Sequence, residues 1–256
     1  MIYKLEDTKT VNYLFEKWDE GVIWGCLEKV MGDIYVDNLN NPTSAMAILG
    51  DFCYFAGKLN EELVMFKPDK FKNSIIMVPE DTEWGTLIEK CFGNKAEKTT
   101  RYAMKKEKGV FNVEHLKSIA EGLSKEYEIK TIDEKLYNAC FKEQWSRDFV
   151  AQYDTYEMYS EKGMGVAILK DGELISAASS YSRFKDGIEV EIATRKDYRH
   201  KGLASICGAK LILECIKKGW YPSWDARIMW SVKMAEKLGY HFSHEYVAYN
   251  LSLIHI

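Results

Sequence analysis

The residue types best suited to chemistry are gathered between Ile188 and Gly219. There Ile188-Glu189-Val190-Glu191-Ile192-Ala193-Thr194 reads as a strand. It runs into Arg199-His200-Lys201-Gly202-Leu203-Ala204 and then into a helix from about Lys201 to Lys218. The first turn of a helix carries backbone N–H groups with no intrahelical acceptor, and the macrodipole adds partial positive charge. A diphosphate fits such an end. Gly202 lets the backbone approach an anion with no Cβ in the way, and the small Ala204 keeps the next turn open. Arg195, Lys196, Arg199, His200 and Lys201 add local positive charge to a chain whose formal net charge is -4. The other reading of these residues is a glycine-capped loop edged by solvated cations.

Glu189 and Glu191 alternate with Val190 and Ile192, so both carboxylates project from one face of the strand. Carboxylates so placed can take a proton from an ammonium, directly or through water. They can equally be an ordinary solvated face. Trp224 and Asp225 close the next strand candidate, where an aspartate can hold a cationic amine. The alternative is Trp224 in the core and Asp225 capping the following helix. His115, His241, His244 and His255 have no spacing that suggests a metal site.

The surrounding pattern supplies elements to hold these groups. A helical periodicity covers about Thr8 to Met31, with strands around Ile34 to Val36, Ala45 to Leu49, Phe52 to Ala56 and Ser74 to Val78. Asp81 and Thr82 open a helix over Trp84 to Cys91, ended by Gly93. After a break at Gly109 to Asn112, a helix over Val113 to Leu123 precedes a strand over Tyr127 to Ile132. The second half reads as helices over Glu134 to Trp145 and Thr155 to Glu161. Strands over Gly165 to Leu169, Glu173 to Tyr181 and Ile188 to Thr194 follow, with turns at Asp171-Gly172 and Asp186-Gly187. In the helix after them, Leu203, Cys207, Leu211 and Cys215 form one i+4 row, and Ala204, Gly208, Ile212 and Ile216 form the next. A strand over Tyr221 to Asp225, a helix over Ile228 to Leu238 and a strand over Tyr240 to Leu251 complete a mixed, mainly antiparallel α/β (α+β) sheet flanked by helices.

At 256 residues the chain suits two domains, expected as a divergent N-terminal α/β domain at 1–125 and a second domain at 126–256. Met46-Ala47-Ile48-Leu49-Gly50-Asp51 echoes Val166-Ala167-Ile168-Leu169-Lys170-Asp171, which reads either as a duplicated fold or as two hairpins alike by chance. The apolar fraction of 46% supports a buried core. The acidic balance gives no reason to expect nucleic acid or an anionic membrane as partner. Six scattered cysteines without a Cys-x-x-Cys pair suggest neither a zinc cage nor a disulfide framework. No stretch approaches the ~20 apolar residues of a membrane span, so the expected location is cytoplasmic.

Strand, Arg-x-x-Gly-x-Ala and a long amphipathic helix together resemble the acyl-CoA-binding motif of the GNAT superfamily of N-acetyltransferases. Trp224-Asp225-Ala226, Ser231 and Ala235-Glu236-Lys237-Leu238-Gly239-Tyr240 are similar to that superfamily's last helix and the strand after it. Glu191-Ile192-Ala193-Thr194, with Tyr198-Arg199 and Gly202-Leu203-Ala204, resembles the subgroup related to the zwittermicin A resistance protein. The resemblance implies acetyl-CoA as cosubstrate and a small-molecule amine as acceptor, such as an amino-bearing antibiotic, and it is compatible with a homodimer. It puts the diphosphate on the amides of His200, Lys201, Gly202, Leu203 and Ala204, with Arg199 among the cofactor-binding residues, and the pantetheine arm along Ile192, Ala193 and Thr194. Ser231 would donate to the cofactor, Trp224 and Asp225 would meet the acceptor, and Glu191, then Glu189, would be the base. Many relatives carry an acidic tyrosine where this chain has Ala235, which leaves Tyr221, Tyr240 or solvent as the acid. The same departure admits a different class of protein, a non-catalytic acyl-CoA-binding sensor or interaction module.

Overall fold

The computed structural model of the chain describes residues 1–68 and 74–252, and His255 lies outside them. In chain order the elements begin with β1 (Tyr3–Lys4), a 3-10 turn (Thr8–Phe15), α1 (Gly21–Leu27), β2 (Asp33–Val36), β3 (Ser44–Leu49), β4 (Phe52–Gly57), α2 (Glu61–Met65), β5 (Ser74–Val78), α3 (Thr82–Phe92) and β6 (Ala96–Met104). They continue with α4 (Val113–Glu121), β7 (Glu128–Thr131), α5 (Glu134–Cys140), α6 (Tyr156–Lys162), β8 (Gly165–Lys170), β9 (Glu173–Phe184) and β10 (Gly187–Thr194). The last are α7 (Leu203–Lys218), β11 (Tyr221–Ser223), β12 (Asp225–Ala226), α8 (Met229–Leu238) and β13 (Phe242–Ser252).

These elements form two compact units, Met1–Arg101 joined by the chain from Glu245 onward, and Tyr102–His244. Residues 102–125 pack with the second unit because Leu116 of α4 shares a core with Ala209 and Ile212 of α7.

In the first unit, β2, β3 and β4 form an antiparallel meander and β5 lies parallel to β4. Tyr249 to Ser252 of β13 then pair antiparallel with β5. Trp84 is fully buried, stacks on Phe55 at 5.1 Å and donates from Nε1 to the Gly57 carbonyl. Asp81 starts α3 by accepting from the amides of Glu83 and Trp84, and Gly93 ends it with a positive φ. The single helix expected over Thr8 to Met31 is instead a 3-10 turn and α1. The chain turns between them so that Trp18 meets Tyr54 edge-on at 5.3 Å. Strand β6 has no counterpart in the sequence reading. Its first five residues, Ala-Glu-Lys-Thr-Thr, are largely exposed and lack an apolar face.

The second unit is built on a five-stranded sheet of order β11-β10-β9-β8-β7, antiparallel except for the β10–β11 pair. Leu203, Cys207, Leu211 and Cys215 lie buried against Val166, Ile168, Ala178 and Ile188 of the sheet, as the helical period requires. The neighbouring row is buried only in part, since Ile216 is exposed. Gly219 closes α7 in the left-handed region, its amide reaching Cys215 and Ile216 carbonyls. Burial pushes the Cys207 thiol up to about 12.

The Asp171-Gly172 turn has positive φ at both residues, as a tight hairpin demands. The second turn is formed by Lys185 and Asp186, and Gly187 is already paired with Phe184 and Tyr221. That glycine is needed for close approach, because a Cβ there would sit 2.2 Å from the Tyr221 carbonyl oxygen and 2.4 Å from the Phe184 ring.

Candidate active site

Strand β10 changes its surroundings halfway along. Gly187, Ile188 and Glu189 pair in parallel with Tyr221, Pro222 and Ser223 of β11, and the pairing ends there. After Trp224 the chain leaves β10, and Asp225 and Ala226 of β12 pair with Ala103 and Tyr102 of β6. From Val190 to Thr194, β10 keeps β9 on one side and has a backbone edge on the other. Successive peptide groups on such an edge can accept an extended ligand as an added strand. The strand expected to run unbroken from Tyr221 to Asp225 is therefore divided at the fork.

Aromatic packing holds the fork open. Trp224 is 3% exposed and packs among Ala209, Ile212, Val232, Leu238 and Tyr240. Its ring lies 5.4 Å from that of Tyr240, which meets Phe111 edge-on at 4.9 Å. The Trp224 indole donates to Ser231 Oγ at 3.2 Å, leaving the serine hydroxyl hydrogen to donate elsewhere. Trp224, expected to meet the acceptor, thus has its ring buried in the core and its indole N–H bonded to Ser231. Asp225 is half-buried within β12 and is not the cap of α8, whose N-cap residue is Ile228 without a side-chain bond.

Beyond the free edge, the loop reaches α7 through a 3-10 turn at Lys196–Tyr198. His200 has φ 63°, and Gly202 is the N-cap of α7 with φ 79° and no side-chain cap. The first intrahelical bond there runs from the Ile206 amide to the Gly202 carbonyl. The amides of Leu203, Ala204 and Ser205 precede it in the helix, so they have no intrahelical acceptor. A Cβ built on Gly202 meets no heavy atom within 4 Å, so the ground before these amides is open. The Leu203 side chain is buried beneath the turn, leaving its amide at the entrance.

The cations around this entrance are not equivalent. Arg195 is held by Asp197 and Glu173, both at 2.9 Å from its guanidinium, and lies over the Tyr198 ring. Its charge is compensated locally, and the Asp197 carboxyl is held below its usual range by that contact. Arg199 is exposed and donates from Nε to the Thr194 carbonyl at 3.3 Å. Lys201 Nζ also lies over the Tyr198 ring, 4.8 Å from its centroid. Lys196, Arg199 and Lys201 are the exposed cations left beside the helix entrance.

On the sheet itself, Val190 and Ile192 pack toward α7, so Glu189 and Glu191 lie on the other face. A register shift leaves Tyr181 of β9 as an extra residue opposite the Glu189–Val190 step. Glu189 is 7% exposed and sits at the last paired position of the fork, whereas Glu191 is half-buried on the free segment. Tyr240 is buried, donates to the Pro222 carbonyl at 2.7 Å, and its phenol is pushed well above its usual value by burial, then by Tyr221, Cys215 and Glu189. Tyr221 donates to the Lys105 carbonyl at 3.0 Å. The methyl of Ala235 is buried in the core of α8. The buried serines of β9 were passed over by sequence reading. The signal available was the run Ser176-Ala177-Ala178-Ser179-Ser180-Tyr181-Ser182, too polar for an ordinary core strand.

Among the described residues no group of His, Cys, Asp and Glu side chains is arranged to hold a metal ion. No helix among them is long and apolar enough to cross a membrane.

The model of the GNAT acetyltransferase family matches residues 12–249. The uncharacterized N-acetyltransferase YdfB of Bacillus subtilis is 29% identical over 125 residues, 47% of this chain and 47% of that protein, so the chain spans about half the length of this curated relative. A GCN5-related N-acetyltransferase-like protein from Streptococcus suis has a crystal structure that superposes with a TM-score of 0.91 at 43% identity, covering 96% of this chain and 98% of that one. A tandem GNAT protein from the clavulanic acid biosynthesis pathway shares the fold at a TM-score of 0.54 and 9% identity, with 98% of each chain covered.

Proposed function

Because the chain belongs to the GNAT acetyltransferase family, we propose that it moves an acetyl group from acetyl-CoA to a primary amine of a small molecule. The observation that carries this reading is the juxtaposition of a free β10 edge with an uncapped, glycine-opened α7 entrance. Acetyl-CoA supplies an activated thioester, a diphosphate and an extended pantetheine arm. The diphosphate is held by the amides of Gly202 to Ala204, with Arg199 and Lys201 adding charge and His200 bending the loop toward it. Ile192, Ala193 and Thr194 offer their backbone edge to the arm. Ser231, at the start of α8, keeps a hydroxyl hydrogen for the cofactor.

Glu189 takes the proton from the acceptor ammonium, with Glu191 second. This order reverses the one expected from proximity along the strand. It follows from the fork, where Glu189 is buried at the point at which the edge becomes free. A buried base beside a buried phenol is shielded from bulk water, and Tyr240 retains its proton at neutral pH to return one to the departing thiolate. Asp225, the first carboxylate in sequence after the fork, attracts a cationic acceptor. The finer resemblance, to acetyltransferases related to the zwittermicin A resistance protein, supports an amine-bearing antibiotic as acceptor.

One observation favours a second reading. Helix α8 has no tyrosine, and Ala235 is sealed in the core, which suits an acyl-CoA-binding sensor. Thiol release from acetyl-CoA with a panel of primary amines separates the two. Amine-dependent release that is lost in Glu189→Gln supports the transferase. Tight binding measured by calorimetry, with no release for any amine, supports the sensor.

A further inference from the structure

Strand β9 carries four fully buried serines, and three have partners. Ser176 donates to the Ala193 carbonyl at 3.1 Å and lies 2.8 Å from Thr194 Oγ1. Ser179 donates to the Phe149 carbonyl at 2.7 Å and lies 2.8 Å from the Tyr159 hydroxyl. Ser180 accepts from the Tyr153 hydroxyl and from the Met164 amide. Ser182 is the exception, with a buried Oγ that has no protein partner. An unsatisfied buried hydroxyl is disfavoured, and natural proteins rarely keep one without a use.

Its position supplies the use. Ser182 is the cross-strand partner of Glu189, which on its other side is paired with Ser223 of β11. Paired residues share a face of the sheet, with Cβ atoms typically about 5 Å apart. The three residues, at 0%, 7% and 1% exposure, make a buried polar row across the last rung before β11 departs. We infer that Ser182 is a positioning residue, which with Glu189 holds one bridging water and donates through it to the carboxylate. A water between a serine hydroxyl and a carboxylate at this spacing has the polar partners that a buried water needs. Held this way, the carboxylate keeps its rotamer and its charge until the amine's proton arrives. The proton then passes from the ammonium to Glu189, and the water reorients without any bond to carbon forming or breaking. Glu189 also acts electrostatically on the buried Tyr240 phenol, as do Tyr221 and Cys215.

The inference rests on Glu189 as base, and the test separates the two claims. In the full chain labelled with carboxyl-13C glutamate, the Glu189 resonance is assigned by its loss in Glu189→Gln and then titrated. Ser182→Ala is expected to raise the Glu189 pKa by about one unit, the loss of a roughly ten-fold preference for the charged form. Ser182→Thr, which keeps the hydroxyl, is expected to restore it. Should Ser182→Ala fold poorly, Ser182→Cys serves, its weaker donor giving an intermediate shift. An unchanged titration in Ser182→Ala, with a higher Tm from removing an idle hydroxyl, would overturn the inference. Glu189→Gln with full thiol-release activity would instead remove the base assignment, whatever the titration shows.

Discussion

Replacing Gly202 by valine isolates what the α7 entrance does for cofactor binding. Gly202 has φ 79° and ψ -1°, and a Cβ placed on it touches nothing within 4 Å. The cost to the ligand-free fold is therefore backbone strain alone, about 1–2 kcal/mol for an L-residue held left-handed. That corresponds to a Tm lowered by roughly 2–8 °C for a chain of this size. A valine here also stands where an anion would meet the amides of Leu203 and Ala204. Gly219 is the matched control, with φ 70°, open space around its Cβ, and a place at the far end of the same 16-residue helix, about 26 Å away. Both Gly202→Val and Gly219→Val should lose similar stability in thermal melts. By calorimetry, Gly202→Val should weaken acetyl-CoA binding at least ten-fold, about 1.4 kcal/mol, and Gly219→Val should leave it unchanged. Equal affinities in both variants would refute the reasoning, because strain would then be the whole effect and the entrance would have no ligand.

Glu189→Gln should lower kcat by roughly 10²–10⁴-fold, the usual contribution of a positioned base, while Glu191→Gln costs less. A thiol-release series that reverses this order reassigns the base. Leu211→Ala, beneath the sheet at 0% exposure, should cost about 2–5 kcal/mol in urea unfolding; a loss under 1 kcal/mol would mean that α7 is not seated as described. Asp37 accepts from the amides of Thr43 and Ser44 and from the Thr43 hydroxyl. Although burial opposes the charge, these bonds win and hold its carboxyl below the usual value. A depressed folded pKa gives stability that is present above the unfolded value, about 3.9, and lost as pH falls through the folded one. The stability gap between the parent and Asp37→Asn should therefore be constant near neutral pH and shrink below about pH 4, and a gap that widens there would contradict the bonding. With its thiol pushed up to about 12 and fully buried, Cys207 should resist iodoacetamide at pH 7.5 in the native chain and react after denaturation.

Much of the second unit was legible because its signals are local. The Asp171-Gly172 turn, the i+4 row from Leu203 to Cys215, and Gly219 and Gly239 after their helices each announce an element without help from elsewhere. The parts that escaped depend on distant partners. Strand β6 is polar along its first half and is defined by pairing. The break at Trp224 exists because β12 finds Ala103 and Tyr102, more than a hundred residues earlier. The helix expected over Thr8 to Met31 fails because Trp18 is drawn to Tyr54. At the site, the glycine entrance and the alternating glutamates could be read from spacing. The neutralisation of Arg195 by Glu173 and the isolation of Ser182 beside Glu189 could not, since both arise from cross-strand register.

The most direct test of the central claim is a crystal structure of the full chain grown with acetyl-CoA. The account requires the diphosphate on the amides of Gly202 to Ala204 and the pantetheine arm paired along β10 from Ile192 to Thr194. A diphosphate bound elsewhere, or a coenzyme arm that leaves the β10 edge untouched, would contradict it.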